Sequence, residues 1–173
     1  MVSLAGCEAP PARSAAEQQV WRILAAVPDP EIPVLSIVDL GIVRHVTMSD
    51  GELRVGLTPT YSGCPATEVI RASVRAALDG AGFAHALLEE VLSPAWSSDW
   101  LSEAGRHKLR AFGIAPPEQA VANPRQLWGA APVTCPRCGS RAGELLSEFG
   151  STPCKAHYRC RDCREPFDYF KCL

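Results

Sequence analysis

Two pairs of cysteines near the C-terminus constrain this chain more than any other feature. Cys135 and Cys138 are separated by two residues, as are Cys160 and Cys163, and 21 residues lie between the pairs. The two-residue gap lets a tight turn direct both sulfurs of a pair toward one point, where backbone N–H groups stabilise the thiolates. Four sulfurs spaced in this way predict a tetrahedral metal site.

The tail, 133–173, is therefore predicted to be a zinc-ribbon-like module whose bound ion supplies much of its stability. Tetrahedral sulfur also suits iron, so the spacing leaves the metal open. Cys154 and Cys172 fit less clearly. Five residues lie between Cys154 and Cys160, one more than in the Cys-x4-Cys-x2-Cys run of plant-type [2Fe–2S] ferredoxins. We favour burial of both as small packed residues near the ribbon.

The composition and the sequence patterns disfavour a nucleic-acid-binding protein, a membrane protein and a secreted protein. A chain of 173 residues, 47% hydrophobic, supports one main domain and a smaller module. Its net charge of -2 offers no broad basic surface for nucleic acid. The apolar run "ILAAV" is far shorter than the roughly 18 residues of a membrane span, and the first residues lack the pattern of a secretory signal. We expect a cytoplasmic protein, in which paired cysteines serve metal or redox chemistry rather than disulfides.

The part before residue 113 has the pattern of an α+β domain. Ser14 and Glu17 form a capping box before a helix, and Asp50-Gly51 predicts a tight hairpin between strands at about 42–49 and 52–58. "PATEVIRASVRAALDGAG" predicts a second helix, and "AHALLEEVLS" a third strand. The order helix-strand-strand-helix-strand favours a small mixed sheet covered by helices.

The segment after residue 94 is less regular. One helix is predicted at about 98–112, with Phe112 on its buried face. Beyond this helix, regular structure is interrupted by Pro116, Pro117, Pro124 and Pro132. The predicted organisation is a domain at 14–112, a linker at 113–132 and the cysteine module at 133–173.

Two loops of the first domain carry chemically capable side chains. "DPEIP" places Asp29 and Glu31 between prolines, and "YSGCP" places Cys64 just before the second helix. Free N–H groups at a helix N-terminus stabilise a thiolate, which is nucleophilic and binds soft metals. A buried inert thiol and carboxylates that cap backbone N–H groups are the alternatives, and the residue types alone leave them open.

The same loops resemble a known domain family. "DPEIPVLSIVDLGIVRHV" and "LTPTYSGCPATEVI" are similar to the iron-sulfur cluster assembly domain of the SufT type over about residues 15–95. The resemblance implies that Cys64 transiently holds iron or a cluster, with Asp29 and Glu31 as the acidic loop. The supporting residues that it implies are Asp39, Thr58 and Thr60.

The rest of the chain extends this resemblance. "SPAWSSDWLSEAGRHKLRAFGIAPP", "SEFGSTPCKAHYRC" and "EPFDYFKCL" are similar to a family of accessory proteins of the multicomponent phenylacetyl-CoA epoxidase of aerobic phenylacetate degradation. The resemblance implies a factor that assembles, inserts or repairs a metal centre, above all that of the [2Fe–2S] reductase. Its expected partners are the reductase or oxygenase subunits, and a homodimer is left open.

Two other functions are alternatives to a maturation factor. The first is a non-catalytic structural subunit of the epoxidase complex, with Cys64 as a core residue. The second, an enzyme in its own right, is disfavoured because the sequence lacks a Ser-His-Asp ordering and a phosphate-binding glycine loop, and because its histidines are scattered. These histidines are His45, His85, His107 and His157.

Overall fold

A capped helix opens the described part of the chain. The computed structural model describes residues 14–61, 63–117 and 133–171. Helix α1 (Ala15–Leu24) begins after Ser14, whose hydroxyl accepts a hydrogen bond from the Glu17 N–H, while the Glu17 carboxylate accepts one from the Ser14 N–H. The predicted capping box is confirmed, and Val20 and Leu24 are fully buried on the inner face of the helix.

A tight hairpin forms the first two strands of a mixed sheet. Strand β1 (Val43–Ser49) pairs antiparallel with β2 (Glu52–Leu57). Asp50 and Gly51 between them have φ values of 52° and 81°, as a type I′ turn requires. Strand β3 (Leu87–Glu90) lies parallel to β2, which gives the order β1-β2-β3.

Helix α2 (Ala66–Gly80) connects the parallel strands β2 and β3. It buries Ile70, Val74 and Leu78, which recur every four residues. Helix α1 contacts both α2 and β1. The predicted small mixed sheet with packed helices is therefore confirmed.

The chain after β3 is divided into two short helices. A 3-10 helix spans Ser98–Trp100, and α3 spans Glu103–Phe112. The prediction of one helix at about 98–112 is wrong because the Ser102 hydroxyl caps a new helix by accepting a hydrogen bond from the Gly105 N–H at 2.9 Å. Phe112, predicted to face the core, is 59% exposed.

The second sheet contains β4 (Ile114–Ala115), β5 (Gly143–Ser147), β6 (Lys155–Cys160) and β7 (Pro166–Phe170), in the order β4-β7-β6-β5. Strand β4 is parallel to β7, and the other pairs are antiparallel. Residues 114–115, which the sequence assigned to the linker, thus form an edge strand of this sheet. Residues 118–132 lie outside the described residues.

The ribbon sheet shares a hydrophobic core with the first domain. Cys154 and Phe170 belong to the cluster that contains the buried residues of α1 and α2. Trp96 lies between the two parts: its indole N–H donates to the Leu40 carbonyl at 2.8 Å, and its ring meets Phe170 edge-on. Within the described residues, no helix has the length and apolar content needed to cross a membrane.

Candidate functional site

The four paired cysteines converge on one point. The ligand atoms of Cys135, Cys138, Cys160 and Cys163 all lie within 4.8 Å of one another. The sulfurs of Cys135 and Cys163 are 3.8 Å apart, and those of Cys138 and Cys160 are 3.6 Å apart. A tetrahedral ion with metal–sulfur bonds of about 2.3 Å separates its sulfurs by about 3.8 Å. The donor set therefore fits a single tetrahedral ion.

Both turns of this cysteine group have the same backbone design. The residue after the second cysteine of each pair, Gly139 or Arg164, has a left-handed conformation, with φ of 76° and 63°. The N–H groups of Cys163 and Asp162 direct positive charge at Cys160 and lower the pKa of its thiol to about 7. Such N–H groups favour the thiolate form that a metal requires.

Cys154 is not part of this group. Its thiol is 4% exposed and belongs to the core shared with the first domain. The ferredoxin-like spacing from Cys154 to Cys163 therefore does not describe one cluster. Cys172, the other cysteine left open by the sequence, lies outside the described residues.

A small cavity lies where the acidic loop, the Cys64 loop and the ribbon meet. Its volume of about 30 Å³ has room for one or two water molecules or a single ion. Its polar and sulfur-bearing walls come from residues that are far apart in the chain. These are Asp29, Glu31, Thr58, Thr60, Cys64, Thr67, Arg71, Glu90 and Cys154.

Asp29 is buried at the base of the acidic loop. Its Oδ1 accepts hydrogen bonds from the N–H groups of Glu31 and Ile32 at 2.9 and 2.7 Å, so the carboxylate shapes the loop as an Asx turn. Burial raises the pKa of Asp29, although these two hydrogen bonds and the nearby Lys155 act in the opposite direction. Asp29 thus both shapes the loop and lines the cavity.

Cys64 also lines the cavity, from the turn that leads into α2. Its N–H donates to the Tyr61 carbonyl, and its own carbonyl accepts from the Thr67 N–H, both at 3.2 Å. Gly63, with φ of 80°, allows the preceding turn. This backbone holds a half-buried thiol at the cavity.

The Tyr61 hydroxyl lies beside Cys64. Its oxygen is buried, and no group in the described part of the chain lies in hydrogen-bonding geometry with it. Burial and the neighbouring Cys64, with contributions from Glu31 and Cys154, raise the pKa of Tyr61 to about 12. Tyr61 is therefore a neutral hydroxyl at ordinary pH that can still donate one hydrogen bond.

The ribbon contributes Cys154 to the lining of the cavity. Its Sγ donates to Glu31 Oε2 at 3.5 Å and lies 3.1 Å from the Thr152 hydroxyl. Burial and the charge of Glu31 raise the pKa of the Cys154 thiol to about 11, against the effect of Thr152. Two thiols and three carboxyl groups, those of Asp29, Glu31 and Glu90, thus line one cavity.

The supporting residues are divided between two places. Thr58 and Thr60 line the cavity, and Thr58 is 3% exposed. Asp39 does not line it. Its carboxylate accepts hydrogen bonds from Lys108 at 2.6 Å and from Ser102 at 3.1 Å, and it also binds Ser36. Asp39 therefore connects the Asp-Leu-Gly segment to α3.

Sequence reasoning missed four polar residues at this site: Tyr61, Thr67, Arg71 and Glu90. Tyr61 is three positions before Cys64 and could have been included as part of the same loop. A helical projection of α2 could also have identified Arg71, because it lies one turn after Thr67. Glu90 follows from no local pattern, because its position at the cavity depends on the parallel pairing of β3 with β2.

Two family models match the two parts of the chain. A model described as an iron-sulfur cluster assembly protein matches residues 17–82, and one described as a PaaD zinc β-ribbon domain matches residues 120–171. A solved domain of unknown function, DUF59, from Bacillus anthracis is 30% identical, with a TM-score of 0.51 over 55% of this chain and 92% of that chain. Fold and site together define an iron-sulfur assembly domain joined to a zinc-ribbon module.

Two curated relatives narrow this class. A protein of Escherichia coli (strain K12), provisionally named as a subunit of 1,2-phenylacetyl-CoA epoxidase, is 49% identical over 90% of this chain and 92% of its own length. An Fe-S protein maturation auxiliary factor of Porphyromonas gingivalis (strain ATCC BAA-308 / W83) is 35% identical over 54% of this chain and 90% of its own. The chain belongs to the PaaD family of phenylacetyl-CoA epoxidase subunits.

Proposed function

We propose that this protein is a cytoplasmic maturation factor that carries iron or an iron-sulfur unit to the phenylacetyl-CoA epoxidase system. The observation that carries the proposal is the cavity of about 30 Å³ that Cys64 lines together with Asp29 and Glu31 of the acidic loop. Sulfur and carboxylate ligands together suit an ion of borderline softness such as Fe²⁺. Both kinds of ligand line a cavity that has room for a single ion.

The acidic loop and Cys64 have different tasks in this proposal. Cys64, held at the start of α2, supplies the soft ligand by which cargo is held. Glu31 supplies a hard oxygen ligand and charge compensation, while Asp29 keeps the loop in place through its hydrogen bonds to two backbone N–H groups. Thr58 and Thr60 complete the polar wall.

The four-cysteine group has a structural task. We assign it a zinc ion, held by Cys135, Cys138, Cys160 and Cys163, because four sulfur ligands close the coordination sphere and leave no position for a substrate. When bound, the ion supplies folding energy to a module with a small hydrophobic core. The folded ribbon thereby holds Cys154 at the cavity.

The client that we propose is the reductase of the epoxidase system, which holds a [2Fe–2S] cluster. The name of the E. coli relative supports the link to the epoxidase, and the name of the P. gingivalis relative supports Fe-S maturation. On this proposal the protein is an accessory factor and does not carry out epoxidation itself.

Reconstitution of the client tests the proposal. Anaerobically purified protein is loaded with Fe²⁺ and sulfide, separated from free metal, and mixed with cluster-free reductase. We expect the [2Fe–2S] absorption spectrum and electron-transfer activity of the reductase to appear faster than with an equal amount of free iron and sulfide. Cys64→Ser should lose this acceleration while keeping its ribbon metal and its unfolding transition.

Cys7→Ser is the matched control, because residue 7 lies outside both segments that match the family models. It should behave as the wild type does. Full transfer by Cys64→Ser, or full epoxidase activity in cells whose only copy carries that change, would show that Cys64 is not a transfer residue.

A structural subunit of the epoxidase is the second candidate. The name of the E. coli relative includes the word subunit, and the edge strand β5 with the loop after it leaves Leu145, Leu146 and Phe149 exposed. Such side chains suit contact with a protein component of the system. This function predicts a complex of fixed stoichiometry with the oxygenase subunits in size-exclusion chromatography, and epoxidase activity that survives Cys64→Ser.

A further inference from the structure

We propose that Cys154, from the ribbon, is a second sulfur ligand for the metal cargo, so that the cargo site exists only when the ribbon is docked on the assembly domain. The proposal rests on the proposed function of Cys64 and deepens it. It assigns the cargo an Fe²⁺ ion held by Cys64 and Cys154, with Glu31 as the oxygen ligand.

The geometry places Cys154 in the core shared with the assembly domain and outside the four-cysteine group. The residue immediately precedes β6, and its Sγ contacts Glu31, which is 123 positions away in the chain. The same thiol lines the cavity that Cys64 lines. A residue that served only to pack the ribbon would not require a carboxylate beside its sulfur.

Two contacts hold Cys154 itself in position, and a third anchors the neighbouring strand. Its carbonyl accepts a hydrogen bond from the Lys171 N–H at 3.0 Å, and the Thr152 hydroxyl lies 3.1 Å from its sulfur. Phe170, on the strand beside it, packs against Trp96 of the first domain. The position of this thiol at the cavity therefore depends on the folded ribbon.

The chemistry of loading needs no electron transfer. Fe²⁺ enters, metal–sulfur bonds replace the S–H bonds of Cys64 and Cys154, and both protons leave to solvent, that of Cys154 by way of the Glu31 oxygen that accepts its hydrogen bond. The two thiolates balance the charge of the ion, and Glu31, again ionised, binds as a carboxylate. The Tyr61 hydroxyl, which is buried beside Cys64, can donate a hydrogen bond to the Cys64 thiolate.

The two metal sites differ in preorganisation. Among the described residues, the ribbon cysteines form the one group with three or more ligand atoms within 4.8 Å of one another. Cys64, Cys154 and Glu31 must therefore move together around an ion. A site that closes only on its ion holds that ion less tightly than a preformed site, which suits cargo that must be released.

X-ray absorption at the iron edge tests this assignment. The full chain, with its ribbon metal in place, is loaded with one equivalent of Fe²⁺ under anaerobic conditions. The wild type should show two sulfur neighbours of iron, and Cys154→Ser and Cys64→Ser should each show one. Iron affinity should fall about tenfold or more in Cys154→Ser, and Cys7→Ser should match the wild type.

The outcomes separate this inference from the proposed function. One sulfur neighbour in the wild type, or no iron bound, overturns the role of Cys154, and the wild-type spectrum decides this even if Cys154→Ser fails to fold. Unchanged iron binding and transfer in Cys154→Ser, with both lost in Cys64→Ser, also overturns it but leaves the proposed function intact. If Cys64→Ser transfers as the wild type does, the proposed function fails.

Discussion

The ring of Phe170, in the last strand of the ribbon, meets the ring of Trp96 edge-on, with centroids 6.2 Å apart and planes at 72°. The exposed fractions of the two side chains are 2% and 6%. This pair joins the two modules. Because an edge-to-face aromatic contact needs both rings, removal of either ring should weaken the interface between the modules.

We expect Phe170→Ala to lower the free energy of unfolding by about 3–5 kcal/mol. Because the contact crosses the module boundary, the wild type should unfold in one transition and the variant in two. Urea unfolding followed by tryptophan fluorescence and far-UV circular dichroism measures both effects. Phe112→Ala, at a 59% exposed ring, is the matched control and should change little. Two transitions in the wild type would contradict a shared core.

Removal of the ribbon metal should change the cavity as well as the ribbon. Chelation under reducing conditions withdraws an ion whose binding contributes about 10–16 kcal/mol in small zinc modules. We expect the amides of β6 to exchange hydrogen rapidly, and Cys154 to react with a thiol reagent that it resists in the metal-bound protein. Mass spectrometry of both labels measures this. Retained protection of β6 after complete metal loss would show that the ribbon folds without it.

Asp39→Asn should destabilise the protein in a pH-dependent way. Burial alone would raise the pKa of Asp39, but hydrogen bonds from Lys108, Ser36 and Ser102 outweigh it and hold the pKa below its ordinary value. The carboxylate therefore stabilises the fold above the unfolded pKa of about 3.9, and this stabilisation is lost as the pH falls through the folded pKa. At pH 7 we expect a loss of about 2 kcal/mol.

Urea unfolding between pH 7 and pH 3 measures the effect. The difference between wild type and Asp39→Asn should shrink toward the acid end of this range. Lys108→Met is the companion variant: its side chain is 48% exposed, so its loss should cost less than about 1 kcal/mol. A difference that stays constant with pH would mean that the charge of Asp39 is not what stabilises the loop.

Gly41→Ala should be more harmful than Gly82→Ala, although both glycines have positive φ values, 68° and 88°. A Cβ at Gly41 would lie 2.7 Å from Trp100 Cβ and 2.8 Å from the Trp100 carbonyl oxygen, whereas one at Gly82 would meet nothing within 4 Å. We expect about 1 kcal/mol for Gly82→Ala, from backbone strain alone, and about 3 kcal/mol for Gly41→Ala, which adds overpacking. Thermal unfolding of the pair measures the contrast; equal losses would contradict the close approach of Trp100.

Features that depend on a few neighbouring residues could be predicted from the sequence. The capping box of Ser14 and Glu17, the hairpin at Asp50-Gly51 and the turn within each cysteine pair are all local, because each needs only a turn and its flanking residues. The acidic loop was also recognisable, since prolines and an Asx-forming residue specify its shape.

Features that depend on tertiary packing could not be predicted in this way. The contact of Cys154 with Glu31 spans 123 positions, and no periodicity encodes it. Val69 and Ile70 are adjacent apolar residues of α2, yet Ile70 is buried and Val69 is 51% exposed. The width of the buried face of α2 is set by the elements that pack on it. Strand β4 has only two residues, which is too few to show the alternation of apolar and polar residues that predicts a strand.

The short strand β4 also limits how the two modules can be exchanged between relatives. It directly follows α3 of the first module but pairs with β7 of the second. In a chimera joined at residue 113, β4 and β7 come from the same parent protein. In a chimera joined after residue 117, β4 comes from one parent and must pair with β7 of the other. Recombination within the family should therefore tolerate crossovers before β4 better than crossovers after it.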